Sequence, residues 1–285
     1  MPEMRVLIPL DGSPLSEVAL GTLDTLSSVA SLKVRLVSVV ESVEGLTEVT
    51  HHEMQLRESN LLHAYLKEQT AEITGKPGVI SVEEHVVAGD PVDMVVDQAS
   101  EFRPDLMVLA THGRSGLSRW RMGSVADTLV RSGITNTLVV GPHARMRPPV
   151  RSILAPMDGS GASEKALLKA VEFAKALGSE LHLVRVVEMP VGVAEQYQSS
   201  LDDLHGYWND YLESFREKIP AGVEVRTAVR FGSPAERLLD YVAGHEIDLV
   251  IMSSRGRGGI ARTALGSVAG RMIGGPAPVL IIKAV

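Results

Sequence analysis

The stretch DLMVLATHGRSG at residues 105–116 returns later in the chain as DLVIMSSRGRGG at residues 248–259. Two further motifs return in the same order on either side of it: VLIPLDGS at 6–13 as ILAPMDGS at 153–160, and GSVA at 123–126 as GSVA at 266–269. Three motifs that recur in one order at a nearly constant spacing indicate an internal duplication. The chain is therefore one structural unit written twice, and a prediction made for one copy applies to the other.

Length and composition exclude several classes of protein. At roughly 150 residues per domain, a chain of 285 residues has room for about two domains. Hydrophobic residues make up 45% and charged residues 22%, which excludes wholesale disorder. The net charge of −7 makes general attraction to nucleic acid or to anionic lipid unexpected. The absence of cysteine excludes disulfides, thiolate nucleophiles and cysteine-based zinc sites.

Hydropathy predicts neither a signal peptide nor a membrane span. The apolar run at 6–10 is shorter than the apolar region of a signal peptide, and no stretch approaches the ~18 apolar residues of a membrane helix. We therefore expect a soluble, cytoplasmic protein without membrane contact.

Each copy alternates short apolar runs with segments of helical pattern. In the first copy the predicted strands are 6–10, 34–40, 79–87, 106–110 and 137–140, and the predicted helices are about 14–28, 50–74, 91–102 and 124–132. In the second copy the predicted strands are about 151–157, 181–187, 223–230, 248–252 and 278–283. Near-continuous Val, Ile and Leu runs are typical of strands buried on both faces of a parallel sheet. The predicted fold class is α/β, with two tandem doubly wound, Rossmann-like domains, each on a five-stranded parallel sheet.

The predicted domains are 1–143 and 151–285, joined by a linker at 144–150 that is basic, Pro-containing and without periodicity. An apolar last strand exposes unpaired backbone groups at the edge of a sheet. We therefore expect the last strands, 137–140 and 278–282, to cover each other in an intramolecular domain pair. The sequence does not decide whether the protein also forms a homodimer, and it does not identify a protein partner.

Three features follow predicted strands, at the edge where open parallel sheets bind their ligands. They are DGS at 11–13, Val39, and the Gly-rich segment 110–124. Glycines let successive backbone N–H groups approach a phosphate, and a helix that opens at Ser124 adds N-terminal N–H groups with the same preference. Asp11 suits a ribose hydroxyl or a divalent cation, and Val39 suits the face of a purine. The combination indicates a nucleotide site.

The same residues also have a purely structural interpretation. Gly12 and Gly159 serve tight turns, and Asp11 and Asp158 cap helices. Two other nucleotide signatures are excluded. No P-loop sequence occurs, and GRGGIA at 256–261 follows the fourth strand of its domain, whereas a dinucleotide fingerprint follows the first.

The order of DGS after the first strand, then THGRSG, six residues and GSVA, resembles the universal stress protein family, and the second copy resembles it too. The family writes its phosphate loop as G-x2-G-x9-G-[ST]. The matching positions are Gly113, Gly123 and Ser124 in the first copy, and Gly256, Gly266 and Ser267 in the second. The first glycine of the pattern is replaced by Ala110 and Ser253.

This resemblance implies a cytoplasmic stress-response protein of the adenine nucleotide alpha hydrolase-like fold that binds ATP, or AMP or ADP, at two sites. Whether Mg²⁺ accompanies the nucleotide near Asp11 and Asp158 is left undecided by the resemblance. The implied contacts of the first site are Pro9, Asp11, Val39, Ala110, His112, Gly113, Arg114, Gly116, Gly123, Ser124 and Val125. Those of the second site are Pro156, Asp158, Val186, Ser253, Arg255, Gly256, Arg257, Gly266, Ser267 and Val268. For the basic residues among them, contact with phosphate and simple exposure to solvent are both open.

No catalytic residue is assigned, because the residues around the phosphate loop supply no activated nucleophile or general base. The expected activity is nucleotide binding with little or no turnover, at most a weak ATPase. Two alternatives stay open: a slow ATP hydrolase, and a nucleotide-free scaffold that acts through protein partners. No metal site of the protein itself is assigned, since His52-Glu53 lacks the second histidine of an HExxH motif.

Overall fold

The computed structural model describes residues 1–41, 48–111, 122–141, 144, 146, 148–189, 198–255 and 265–283. The chain divides into two compact units, Met1–Pro142 and His143–Val285. Each unit contains five described strands, and the neighbouring strands within a unit are parallel. The finer boundaries, with a linker at 144–150, stay a prediction; within that stretch Ala144, Met146 and Val150 are buried.

The first unit alternates strands and helices along the chain. Its described strands are β1 (Glu3–Pro9), β2 (Ser31–Val40), β3 (Val79–Ala88), β4 (Leu106–Ala110) and β5 (Asn136–Val140). Its described α-helices are α1 (Leu23–Val29), α2 (Glu48–Ile73), α3 (Pro91–Phe102) and α4 (Ser124–Ser132). The strands lie side by side in the order β3-β2-β1-β4-β5, and each neighbouring pair is parallel.

The second unit repeats this arrangement. Its described strands are β6 (Ser152–Pro156), β7 (Glu180–Val187), β8 (Val225–Phe231), β9 (Leu249–Ser253) and β10 (Val279–Ile282). Its described helices are α5 (Gly161–Leu177), α6 (Gln198–Arg216), α7 (Pro234–Gly244) and α8 (Ser267–Ile273). The strand order is β8-β7-β6-β9-β10, again with parallel neighbours. The predicted fold class, two doubly wound α/β units, is confirmed.

The core of each unit lies along its central strands. Val6, Leu7 and Ile8 of β1 have no exposed surface, and neither do Ile153 and Leu154 of β6. Strands buried on both faces need helices above and below the sheet, which the right-handed crossovers supply. This explains why the sequence of these strands is a continuous apolar run without alternation.

The first predicted helix, 14–28, is only partly correct. In the structure, residues Ser16–Thr22 form a 3-10 helix, and α1 starts at Leu23. The corresponding segment of the second unit is the continuous α-helix α5. The physical reason lies in composition: Gly21 interrupts the first segment, whereas α5 is rich in Ala and Leu after its first turn.

His182 of β7 is buried to 2% exposure beneath α7. Its Nδ1 lies 2.9 Å from the Tyr241 hydroxyl, and its Nε2 lies 3.3 Å from a carboxylate oxygen of Glu180. Burial lowers the pKa of His182, and the nearby His245 and Arg226 lower it further, while Glu180 opposes them. A histidine that resists protonation when folded makes the stability of its unit depend on pH.

We expect the second unit to lose stability as the pH falls. Above the ordinary histidine pKa of about 6.5, the folded and unfolded chains both carry a neutral imidazole. Below it, the unfolded chain binds a proton that the folded chain resists, so unfolding is favoured by up to about 1.4 kcal/mol per pH unit. Urea unfolding at pH 8 and pH 5 tests this. His182→Gln is expected to reduce the dependence, and the exposed His205→Gln is the control. An identical pH dependence in wild type and His182→Gln would contradict the assignment.

Candidate functional site

The strand order creates a crevice at one point in each unit. In the strand order, β2 lies next to β1 on one flank and β4 lies next to it on the other. The loops that follow β1 and β4 therefore lead away from each other above this pair of strands. The same reversal occurs between β6 and β9 in the second unit. Neighbouring strands lie about 4.8 Å apart, so the loops after their carboxyl ends are adjacent. Open α/β sheets bind ligands at such a point.

The loop after β1 forms a tight turn around an aspartate. The Oδ1 atom of Asp11 accepts hydrogen bonds from the Ser13 N–H at 3.0 Å and from the Ser13 hydroxyl at 2.6 Å. Gly12 has a φ of +80°, which is unfavourable for a residue with a side chain. The second unit repeats the turn, with Asp158 accepting from Ser160 at 2.9 and 2.6 Å.

The serines of the two DGS turns contact the first turn of the helices that follow. Ser160 is the N-cap of α5, and its hydroxyl accepts from the Ser163 N–H at 3.2 Å. In the first unit Ser13 makes the equivalent contact with Ser16. The structural alternative, in which the aspartates are helix caps, is therefore wrong for Asp158. Its carboxylate instead holds the turn, at a half-buried position beside the crevice.

The glycines Gly123 and Gly266 are the N-caps of α4 and α8, and neither helix has a side-chain hydrogen bond at its cap. Each glycine N–H donates to the loop after the fourth strand, Gly123 to the Thr111 carbonyl at 2.8 Å and Gly266 to the Ser254 carbonyl at 2.9 Å. Their φ angles, −59° and −60°, are ordinary. A left-handed backbone conformation is therefore not the reason for glycine at these positions. Because glycine has no side chain, the N-terminus of each helix is left uncovered next to the crevice.

The remaining predicted site residues lie at the same edge wherever the structure describes them. Pro9 and Pro156 end β1 and β6, and Ala110 and Ser253 end β4 and β9. Ser124 and Ser267 are exposed in the first turn of α4 and α8, and Val125 and Val268 beside them are half-buried. Val39 is half-buried and Val186 is buried, each near the end of its strand, and Arg255 is half-buried. His112, Gly113, Arg114, Gly116, Gly256 and Arg257 lie outside the described residues.

One tyrosine–glutamate pair in each unit was not predicted as part of the candidate site. Tyr65 of α2 and Tyr211 of α6 approach glutamates that follow the DGS turns, and the Tyr211 hydroxyl lies 3.4 Å from an Oε1 of Glu164. Burial, and then the Glu17 carboxylate, raise the pKa of Tyr65. Burial and then Glu164 raise the pKa of Tyr211 to about 12. Both hydroxyls therefore keep their protons at neutral pH. The available signal in the sequence was a tyrosine at the same place in both copies.

The described part of the chain contains neither a cluster of metal ligands nor a membrane-spanning helix. No group of three or more His, Asp or Glu side chains there is arranged to hold a metal ion. None of the helices described is long and apolar enough to cross a membrane.

Each of the two doubly wound α/β units brings an aspartate turn, a strand end and a glycine-capped helix to the carboxyl edge of its own strands. This arrangement defines the class of open, doubly wound α/β proteins, in which ligands generally bind at that edge. A family model described as the universal stress protein family matches residues 4–141 and 149–283. The chain belongs to the universal stress protein family, and it contains the family domain twice.

The matches to similar proteins cover most of the chain. A universal stress protein of Mycobacterium tuberculosis is 30% identical over 214 residues, which cover 71% of this chain and 68% of that protein. A second one from the same organism is 24% identical over 310 residues, covering 98% and 95%. The crystal structure of a universal stress protein from Archaeoglobus fulgidus superposes with a TM-score of 0.73 at 22% identity, covering 98% of each chain. The last comparison supports the fold.

Proposed function

We propose that this universal stress protein binds an adenine nucleotide, ATP or AMP, in each of its two units and acts in the cytoplasmic stress response. The observation that carries the proposal is the glycine-capped opening of α4 beside the Asp11 turn. Within the described part of the chain no side chain caps the start of α4, and the helix dipole favours an anion there.

The sugar and base have matching surroundings. Asp11 presents a half-buried carboxylate above β1, which suits the hydroxyl groups of a ribose. Val39, near the end of the neighbouring strand β2, offers a half-buried apolar side chain to the base. The same three parts recur in the second unit with Asp158, Val186 and Gly266. Because one arrangement occurs twice in one chain, we propose two sites. Mg²⁺ at these sites and pairing of the last strands stay predictions.

The test is release of bound nucleotide from the purified protein. The chain is denatured, the precipitate is removed, and the supernatant is analysed by absorbance at 260 nm and by chromatography against ATP, ADP and AMP. An adenine nucleotide is the expected result, or, if purification strips it, saturable heat on titration with ATP. Absence of both would contradict the proposal.

We expect the protein to turn ATP over far more slowly than the ~10 s⁻¹ typical of enzymes. A general base is needed to activate the attacking water. Asp11 uses its Oδ1 to hold Ser13, and the raised pKa keeps Tyr65 protonated. Steady-state phosphate release with Mg²⁺ measures the rate. Several turnovers per second, lost in Asp11→Asn or Asp158→Asn, would identify an enzyme instead.

A further inference from the structure

The two candidate sites have equivalent aspartate turns and equivalent tyrosines, but they differ at two positions directly behind them. Ser38 of β2 corresponds to Arg185 of β7, and Leu62 of α2 corresponds to Trp208 of α6. The second correspondence has the same 146-residue spacing that relates Tyr65 to Tyr211. Ser38 and Arg185 lie near the carboxyl end of the second strand of their unit, and Leu62 and Trp208 lie on the long helix that follows it.

In the first unit these positions form an uncharged, closed core. Ser38 has no exposed surface, and its hydroxyl donates to the Leu10 carbonyl at 2.7 Å. Leu62 is buried at 3% exposure. Leu10 directly precedes Asp11, so the serine holds the backbone that carries this aspartate.

In the second unit a cation occupies the same place. The Arg185 guanidinium carbon lies 4.0 Å from the centre of the Trp208 ring, a cation–π contact with the most favourable aromatic side chain. An Nη1 of Arg185 lies 3.5 Å from the Met157 carbonyl, the equivalent of Leu10. Trp208 is buried, so it holds the guanidinium in one place below the Asp158 turn.

The positive charge reaches the groups around the turn. Burial, and then the carboxylates of Glu164 and Asp158, raise the pKa of the Tyr211 hydroxyl, whereas Arg185 lowers it. Arg185 also contacts the carbonyl of Met157, the residue before Asp158, so its charge lies next to the aspartate turn. A unit charge at partly buried sites acts over several ångströms with little screening by salt.

We infer that the two nucleotide sites are unequal, and that Arg185, held by Trp208, makes the second site the tighter one for anionic nucleotides. The inference rests on the proposed function. Asp158 and Glu164 repel the phosphates of an incoming nucleotide, and a fixed cation behind them reduces that repulsion. Arg185 is a positioning residue: it sets the potential at the turn. Its effect scales with the charge of the ligand, so ATP is affected more than AMP, and uncharged adenosine is not affected.

The test is a set of calorimetric titrations of the full chain with ATP and with adenosine. For wild type we expect two classes of ATP site that differ by about tenfold in affinity, the order expected for one nearby unit charge. Arg185→Ser, which inserts the residue of the first unit, is expected to remove the tighter class and leave two similar sites. Adenosine is expected to bind both proteins alike. Arg185→Lys, which keeps the charge, is expected to restore most of the lost ATP affinity.

A matched control separates local from general charge. Arg226→Ser changes the net charge equally, but Arg226 lies at the amino end of β8, away from the crevice, where it pairs with Glu180. It is expected to leave ATP binding unchanged. Equal ATP sites in wild type would overturn the inference, and so would an Arg185→Ser variant that loses adenosine as much as ATP, or an Arg185→Lys variant without recovery. If wild type binds no nucleotide at all, the proposed function itself fails, and that result is visible before any variant is made.

Discussion

Gly123→Val is expected to weaken ATP binding at the first site at least tenfold, which is about 1.4 kcal/mol. Gly123 caps α4, and the first N–H groups of the helix lie beside it, with no side-chain cap among the residues that the structure describes. A branched side chain at this cap would occupy the space through which a phosphate approaches those groups. Calorimetric titration with ATP measures the loss, and a melting curve of the same variant measures its stability.

The fold itself is expected to tolerate a side chain at this position. A Cβ added to Gly123 would meet the Thr111 carbonyl oxygen at 3.6 Å, an ordinary contact, and the backbone has φ −59° and ψ 152°. Gly123→Ala is therefore the matched control, folded and with a smaller loss. At Gly266 the same Cβ would lie 3.3 Å from the Ser254 carbonyl, so Gly266→Val is expected to lose affinity at the second site and also some stability. Folded Gly123→Val with unaltered ATP affinity would remove the argument for a phosphate cradle.

Phe173→Ala is expected to reduce the free energy of unfolding of the second unit by about 3–5 kcal/mol. Phe173 lies on α5 and is among the largest fully buried side chains of the chain. Its removal leaves a cavity that the packed helix and sheet close only in part. Urea unfolding followed by circular dichroism measures the change.

Leu168→Ala is the control on the same helix. Leu168 is 72% exposed, so its truncation is expected to change stability by no more than about 0.5 kcal/mol. Both substitutions introduce an alanine into α5, so the two variants have nearly the same helix propensity. If Phe173→Ala proved as stable as Leu168→Ala, the packing of α5 against the sheet described above would be wrong.

Most of the fold followed from local patterns. The continuous apolar runs at 6–10 and 106–110 predicted strands buried on both faces. In the structure β4 contains the whole second run, and β1 contains the first run up to Pro9. The duplication carried each prediction into the second unit. The exception, the 3-10 segment before α1, arose where Gly21 made helix propensity weak.

The candidate site could be predicted only in part. Asp11, Gly123 and their counterparts follow strands, so the rule that ligands bind at strand ends identified them. Tyr65 escaped that rule because it lies on α2, 48 residues from Glu17, and its spacing is that of an ordinary core residue. The roles of the serines in the DGS turns also needed the structure, since both Asp and Ser are common helix caps.

The sequence by itself determined the duplication, the order of strands and helices, and the glycine-capped helix openings, because each of these depends on neighbours within a few residues. Tertiary structure alone decided what stands behind each aspartate. None of the four residues Ser38, Leu62, Arg185 and Trp208 stands out in the sequence. Arg185 and Trp208 meet only because the second strand of their unit and the following long helix pack together. Charge acts through space, so the difference behind the two aspartate turns became visible only when the fold had brought Arg185 to the Met157 carbonyl, next to Asp158.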